Sequence, residues 1–309
     1  MIKILSIDGG GIRGLIPLFL LNEIEKRTNK KINELFNLMG GISSGGLICL
    51  LVSKPNKENS VCYSIEQIIE ISKKTNRQIF KTYFGNKLWH FLTKKYSDKS
   101  FENLLLRQFG DLQLKDCLNN LVLPSFDMYN KTPFFFKSHR AKENENYNYN
   151  LIDVAKAITA APSYFSSKII YKNKTIFNLV DGCLFTNNPT ACLYAEVCRI
   201  YKKQECFVLS LGTGQPNVKK IKKKIKWGIF QWAYPLINNL MESDGNVVDY
   251  QMKYFLNNDY IRLQPIIPEN LYILDDTNNK TIQELENVGR RYIENNQELI
   301  DKICQKLLI

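Results

Sequence analysis

The chain opens on Ile2 to Ile7, apolar except at Lys3 and Ser6, a length and pattern that predict a buried strand. Glycines follow at positions 9, 10, 11 and 14, and an apolar stretch from about Leu15 to Lys26 predicts a helix. Leu35 to Met39 is a second apolar run ending in glycines, after which Gly45 to Val52 reads as a buried helix. Residues 53–113 are mainly helical and polar-faced in pattern, an excursion from the sheet. Strand-like runs return at Leu121 to Phe126, Pro133 to Lys137, Ile176 to Val180 and Cys206 to Leu211. Asn150 and Asp153 predict the capped start of a helix through Thr159, and Asn188-Pro189 offers an N-cap with proline at the first helical position, for a helix to about Tyr201. Thr281-Ile282-Gln283-Glu284 fits a capping box before a long C-terminal helix. Short apolar runs alternating with amphipathic ones predict an α/β fold with a mostly parallel central sheet and helices on both faces. No repeat or low-complexity linker divides the chain, so the pattern predicts a core over residues 1–214 and a C-terminal helical part, 215–309, packed on the same domain.

Composition narrows the class only a little. Of 309 residues, 44% are hydrophobic and 23% charged, as in globular proteins and too polar for a multi-span membrane protein. No window approaches the length of a transmembrane helix, and the first apolar run meets Asp8 before it could form the core of a secretory signal. A cytoplasmic protein is the expectation. The eight cysteines are dispersed without C-x-x-C or other ligand spacing, which predicts reduced thiols and no metal site. A net charge of +12 favours an anionic partner, either nucleic acid or a membrane surface. No recognised nucleic-acid motif accompanies the charge. A basic run containing Lys222, Lys223 and Lys224 precedes Trp227 and Trp232, so peripheral contact with an anionic membrane is expected there; the same residues also read as a solvated loop before a core helix.

Three short motifs carry chemistry. Asp8-Gly9-Gly10-Gly11-Ile12-Arg13-Gly14 lies between strand and helix, where backbone N–H groups at a helix N-terminus can hold negative charge. Alone it admits a cofactor loop, an oxyanion hole or a plain tight turn; Arg13 and the absence of an acidic residue after the next strand pull away from a dinucleotide. Gly41-Ile42-Ser43-Ser44-Gly45 is a G-x-S-x-G between an apolar run and a buried helix, the context of a nucleophile elbow. Serine needs a base, yet the only histidines, His90 and His139, both precede Asp181, so the chain order Ser, Asp, His cannot be assembled. A carboxylate is therefore expected, and Asp181-Gly182 supplies one at the end of the run Ile176 to Val180. If that strand is parallel to the others, Asp181 points toward the same sheet edge as the elbow.

Together these residues resemble the patatin-like phospholipase family, with its D-G-G-G-x-R-G, G-x-S-x-G and D-G-[GA] in the same order. Ala160 to Phe165, Asn187-Asn188-Pro189 and Leu209 to Gly214 extend the resemblance, and Cys183 departs from it where Gly or Ala is usual. The resemblance implies a three-layer fold of this type, with Ser43 as nucleophile and Asp181 as its partner. It also implies an oxyanion hole from Gly9, Gly10 and Gly11 with Arg13 nearby, while Gly14, Gly41, Gly45 and Gly182 support the motifs. It implies a phospholipid or other acyl-ester lipid as substrate, and no cofactor or metal.

Overall fold

The computed structural model describes residues 1–80, 95–202, 205–217 and 229–309, with the backbone alone for 229–241. In chain order the elements are β1 (Ile2–Ile7), α1 (Leu15–Thr28), α2 (Ile32–Leu35), β2 (Leu38–Gly41), α3 (Ser44–Val52), α4 (Ile65–Ile79) and α5 (Asp98–Phe109). Then come β3 (Asn120–Asp127), β4 (Thr132–Lys137), α6 (Ser138–Glu143), α7 (Leu151–Ile158), β5 (Lys168–Lys172), β6 (Thr175–Asp181) and α8 (Thr190–Tyr201). The rest is β7 (Cys206–Leu211), β8 (Gln215–Pro216), α9 (Ile229–Leu256), β9 (Tyr260–Leu263), β10 (Ile266–Ile267), α10 (Asn279–Asn295) and α11 (Gln297–Leu308).

The central sheet is parallel in the order β3-β2-β1-β7-β9. Helices cover both of its faces, which is why β1 and β7 read as nearly continuous apolar runs instead of alternating. On one face Leu5, Ile7, Met39, Leu121 and Leu209 form a core with residues of α1, α3, α4, α5, α7, α10 and α11. On the other, Ile4, Leu38, Val122 and Val208 pack against Leu193 and Val197 of α8 and Val248 and Met252 of α9. The pattern-based architecture holds in this central region.

Three strands depart from the parallel arrangement, and the register shows how. Val122 of β3 pairs with Gly40 of β2 and with Lys137 of β4, so β2 and β4 lie on opposite edges of β3. Ser125 pairs with Phe134 of β4 and with Asp181 of β6, so β6 lies opposite β4, on the edge that β2 also uses. Strands β2 and β6 therefore occupy successive stretches of one edge and meet end to end, the β6 end three residues beyond Val122. That offset is roughly 10 Å along the strand. Asp181 reaches the elbow because β6 runs antiparallel down a β3 that outlasts β2, and the parallel strand expected for Asp181 is corrected accordingly.

Other boundaries also shift. Helix α8 begins at Thr190, with Pro189 in the N-cap position and Asn188 Oδ1 accepting from Thr190 N at 3.1 Å from one residue further out. Helix α10 begins at Asn279, so Thr281 falls inside its first turn, where its hydroxyl donates to Asp276 at 2.6 Å in place of capping. The long terminal helix is two, broken at Asn296. The part after residue 214, expected to be helical, also supplies the edge strand β9, which sequence pattern missed because four residues holding an arginine carry little periodicity. Lys222, Lys223, Lys224 and Trp227, like His90, lie outside the described residues, and Trp232 lies where the backbone alone is described. Among the described residues no helix is long and apolar enough to cross a membrane, and none of the eight cysteines is bridged.

A buried ion pair joins the end of β1 to β9, the edge strand of the central sheet. Asp8, at the end of β1, accepts from Arg262 of β9 at 3.2 and 2.5 Å, and Arg262 also donates to Ser210 at 2.8 Å. Removing one partner strands the other charge in the interior, which costs about 3–5 kcal/mol. Arg262→Leu is therefore expected to lose about that much stability in urea unfolding, and Asp8→Asn in the same chain is expected to restore part of it.

Candidate active site

Chain direction must reverse sharply between β2 and α3, and the motif glycines allow it. A Cβ on Gly41 would lie 2.3 Å from the Gly45 carbonyl carbon, and one on Gly45 would lie 2.5 Å from Ile7 O. Ser43 itself sits at φ 53°, ψ −120°, a left-handed conformation costing a non-glycine residue of order 1–3 kcal/mol. The turn is held there by hydrogen bonds from Ile42 N to Ile7 O (3.1 Å), Gly45 N to Ile42 O (2.8 Å) and Leu47 N to Ser43 O (3.1 Å). The result lifts the Ser43 side chain out of the β2 line and into a cavity.

The glycine loop forms the opposite wall. Gly11 is left-handed at φ +57°, and a Cβ on it would come within 2.1 Å of Leu274 O; on Gly10 it would strike the Thr213 hydroxyl at 2.3 Å. The loop is pinned by Thr213 donating to Gly9 O (2.7 Å), Gly9 N to Asn187 O (3.3 Å) and Ile12 N to Leu274 O (2.9 Å). The Gly9 amide is thus occupied. The amides of Gly10 and Gly11 donate to no acceptor among the described residues, and both residues line the cavity with Ser43. Gly14 packs against Ser44 of the elbow.

Arg13 is not beside these donors. Its buried guanidinium lies behind the loop, donating to Gly10 O at 3.4 Å and Gly214 O at 3.2 Å, with its carbon 4.1 Å from the centre of the Tyr272 ring. It lines a small polar chamber with Asp8, Glu242 and Arg262, separate from the Ser43 cavity except that Asn187 borders both. The position expected near an oxyanion is replaced by that of a brace for the loop carbonyls.

Asp181 is fully buried. Its backbone N donates to Ala160 O at 3.1 Å, its Oδ1 accepts from Cys183 N at 3.0 Å, and a Cβ on Gly182 would meet Pro124 O at 2.8 Å. Burial pushes the carboxyl up from about 3.8 to about 6, opposed by the Cys183 amide and the neighbouring Ser43 hydroxyl. Among the described residues Oδ2 closes no hydrogen bond of normal geometry. A desolvated carboxylate beside a serine hydroxyl can take a proton near neutral pH, where an ordinary aspartate could not. His139 does not border the cavity; it sits 3.0 Å from Glu196, and burial lowers its pKa. Around Ser43 and Asp181 the cavity holds about 200 Å³ and is walled by Leu47, Ile79, Phe80, Phe101, Tyr164 and Phe165.

Sequence reasoning missed what fixes these parts. Asp244 of α9 accepts from Asn187 N (2.6 Å), Asn188 N (3.1 Å) and the Thr186 hydroxyl (3.0 Å), and Asn187 O in turn holds Gly9. Nothing in the Glu242-Ser243-Asp244 string signals this. Thr213 could have been found, since it stands inside the Leu209 to Gly214 run already matched to the family pattern.

Similarity to known proteins identifies the family. Residues 5–194 match the family described as patatin-like phospholipase. Patatin-like protein 2 of rice (Oryza sativa subsp. indica) is 28% identical over 347 residues, covering 97% of this chain and 86% of its own length. A potato (Solanum tuberosum) relative, also 28% identical and covering 85% of this chain and 78% of its own, carries the description "probable inactive patatin-3-Kuras 1". The solved structure of VipD from Legionella pneumophila aligns with a TM-score of 0.47 at 10% identity, over 97% of this chain and 67% of that one.

The raised pKa of Asp181 has a cost in stability. Because the folded carboxyl binds its proton more tightly than the unfolded one, stability falls as pH rises from about 4 to about 6, and the whole penalty is present above 6. A shift of this size corresponds to about 3 kcal/mol. Asp181→Asn is expected to be more stable than the parent by up to about that amount at pH 7.5 and nearly equal to it at pH 4, in urea unfolding at the two pH values.

Proposed function

Because the chain belongs to the patatin-like phospholipase family, we propose that it is a lipid acyl hydrolase of the phospholipase A or lysophospholipase type, working through an acyl-enzyme on Ser43. The observation that carries this reading is the pairing of a strained Ser43 with a fully buried Asp181 that lines the same cavity and neighbours the serine hydroxyl. Since one relative is described as inactive, family membership alone would not suffice. Retention of both groups in this arrangement supports activity here.

The cycle follows from the positions of the groups. Asp181 Oδ2 takes the Ser43 proton as Oγ attacks the ester carbonyl, and the Gly10 and Gly11 amides hold the oxygen that becomes negative. Collapse of the tetrahedral adduct expels the alcohol, which leaves with the proton from Asp181, and the acyl group stays on Oγ. Water then gives its proton to Asp181, attacks the acyl carbonyl, and the fatty acid departs as Oγ is reprotonated. The apolar walls of the cavity suit an acyl tail, and among its described lining residues there is no lysine or arginine to meet the phosphates of a dinucleotide. A glycerophospholipid at a membrane surface is the substrate that family membership favours.

Purified protein incubated with mixed phospholipids is expected to release fatty acid, identified by mass spectrometry. Ser43→Ala and Asp181→Asn should each lower kcat by roughly a thousandfold or more, and the double variant should be little worse than either, because the two act as one unit. Additive losses would sink the dyad. The pH profile of kcat/KM is expected to lose activity on the acid side with an apparent pKa near 6, since protonated Asp181 cannot accept the serine proton. A profile flat down to pH 4.5 contradicts the assignment.

A further inference from the structure

A second cavity lies at the sheet edge, between β4, α6 and the β5–β6 hairpin. At about 410 Å³ it is roughly twice the size of the Ser43 cavity and shares no lining residue with it. Its apolar wall is made by Phe134, Phe177 and Tyr149. Those rings meet edge to face, Phe134 with Phe177 at 5.1 Å and 60°, and Phe134 with Tyr149 at 6.1 Å and 76°. Such a herringbone wall offers no pair of parallel rings to sandwich a planar base, and it accommodates a flexible aliphatic chain.

The polar side is cationic. Lys137, Arg140 and Lys172 line it, and among the described residues no carboxylate does. Lys137 is neutralised by Glu196 at 2.6 Å. Lys172 donates to the Asn148 carbonyl at 2.8 Å and forms no ion pair among the described residues, its charge reaching Glu145, which is itself paired with Lys115. Arg140 is half-buried and stacked on Tyr147 with its guanidinium carbon 3.6 Å from the ring centre, yet it has no carboxylate partner and donates no hydrogen bond among the described residues. Stacking fixes the plane of a guanidinium while leaving its in-plane N–H groups free, the arrangement that binds a carboxylate or phosphate through two parallel hydrogen bonds.

We infer that this cavity is a second, non-catalytic ligand site for an anionic amphiphile, with a phosphate or carboxylate head on Arg140 and Lys172 and an aliphatic chain along Phe134 and Phe177. The site uses none of the groups assigned to hydrolysis. Its occupancy is independent of whether Ser43 reacts.

Photo-crosslinking of the full chain tests it. The probe is dodecyl phosphate carrying a diazirine in the chain, applied to Ser43→Ala protein so that turnover plays no part, with labelled peptides mapped by mass spectrometry. Label is expected on peptides containing residues 133–149 and 172–177. Arg140→Gln and Lys172→Gln, each shown to be folded by its melting temperature, should lower that label at least tenfold, while any label on residues 159–165 of the Ser43 cavity stays constant. Arg140→Lys should recover part of it. Unlabelled dodecyl phosphate and dodecanoate should compete, the stronger of the two naming the head group, whereas inorganic phosphate at equal concentration should not. Label confined to the Ser43 cavity, or undiminished by Arg140→Gln, overturns the site, and equally potent displacement by inorganic phosphate overturns the amphiphile in favour of a simple anion.

Discussion

The length of β3 sets the geometry on which the site depends. Because β3 continues past the last residue of β2, a second strand can pair with the exposed upper stretch of the same edge, and β6 does so from the opposite direction. The elbow turns out of the sheet in the gap between the two strand ends. Ser43 and Asp181 thus border one cavity from chain segments 138 residues apart in sequence, Asp181 held by its amide bond to Ala160 O and Ser43 by the bond its carbonyl accepts from Leu47 N. A regular parallel strand in place of β6 would have a different neighbour and no reason to end at the elbow.

Burial then turns position into reactivity. Asp181 gains only one backbone donor, from Cys183, against full desolvation, so its charged form is disfavoured and its proton affinity rises toward neutrality. Ser43 carries strain and Asp181 carries desolvation, two costs imposed by the fold in the same few ångströms. The surrounding structure offsets them through many modest interactions. The glycine loop, for example, is held by acceptors and donors from Asn187, Thr213 and Leu274, three separate segments of chain.

Behind the loop the chain invests its buried charges. The Asp8–Arg262 pair, the Arg13 brace and the Asp244 acceptor connect β1, the glycine loop and the 186–188 turn to β9 and α9. The part after residue 214 accordingly braces the site, and among the described residues it contributes Leu274 to the cavity wall. The sheet edge around Arg140 contrasts with this interior, since there an arginine is oriented by an aromatic ring and has no carboxylate partner among the described residues.

What the sequence determined by itself is what local sterics decide. Glycines at 41 and 45 permit an elbow and glycines at 10 and 11 a tight loop, because a Cβ at each would collide with neighbouring groups. The nearly continuous apolar runs of β1, β2 and β7 announce a doubly covered sheet, since strands buried on both faces do not alternate apolar with polar positions. The three motifs, taken in order, pointed to the family. Tertiary structure decided what depends on partners remote in the chain: the antiparallel approach of β6, the retreat of Arg13 behind the loop, the loss of the Gly9 amide to Asn187, and the anchoring role of Asp244. None of these leaves a local signature. A hydrogen-bond donor looks the same in sequence whether its acceptor is water or a carbonyl two hundred residues away, and only the packed chain determines which one it meets.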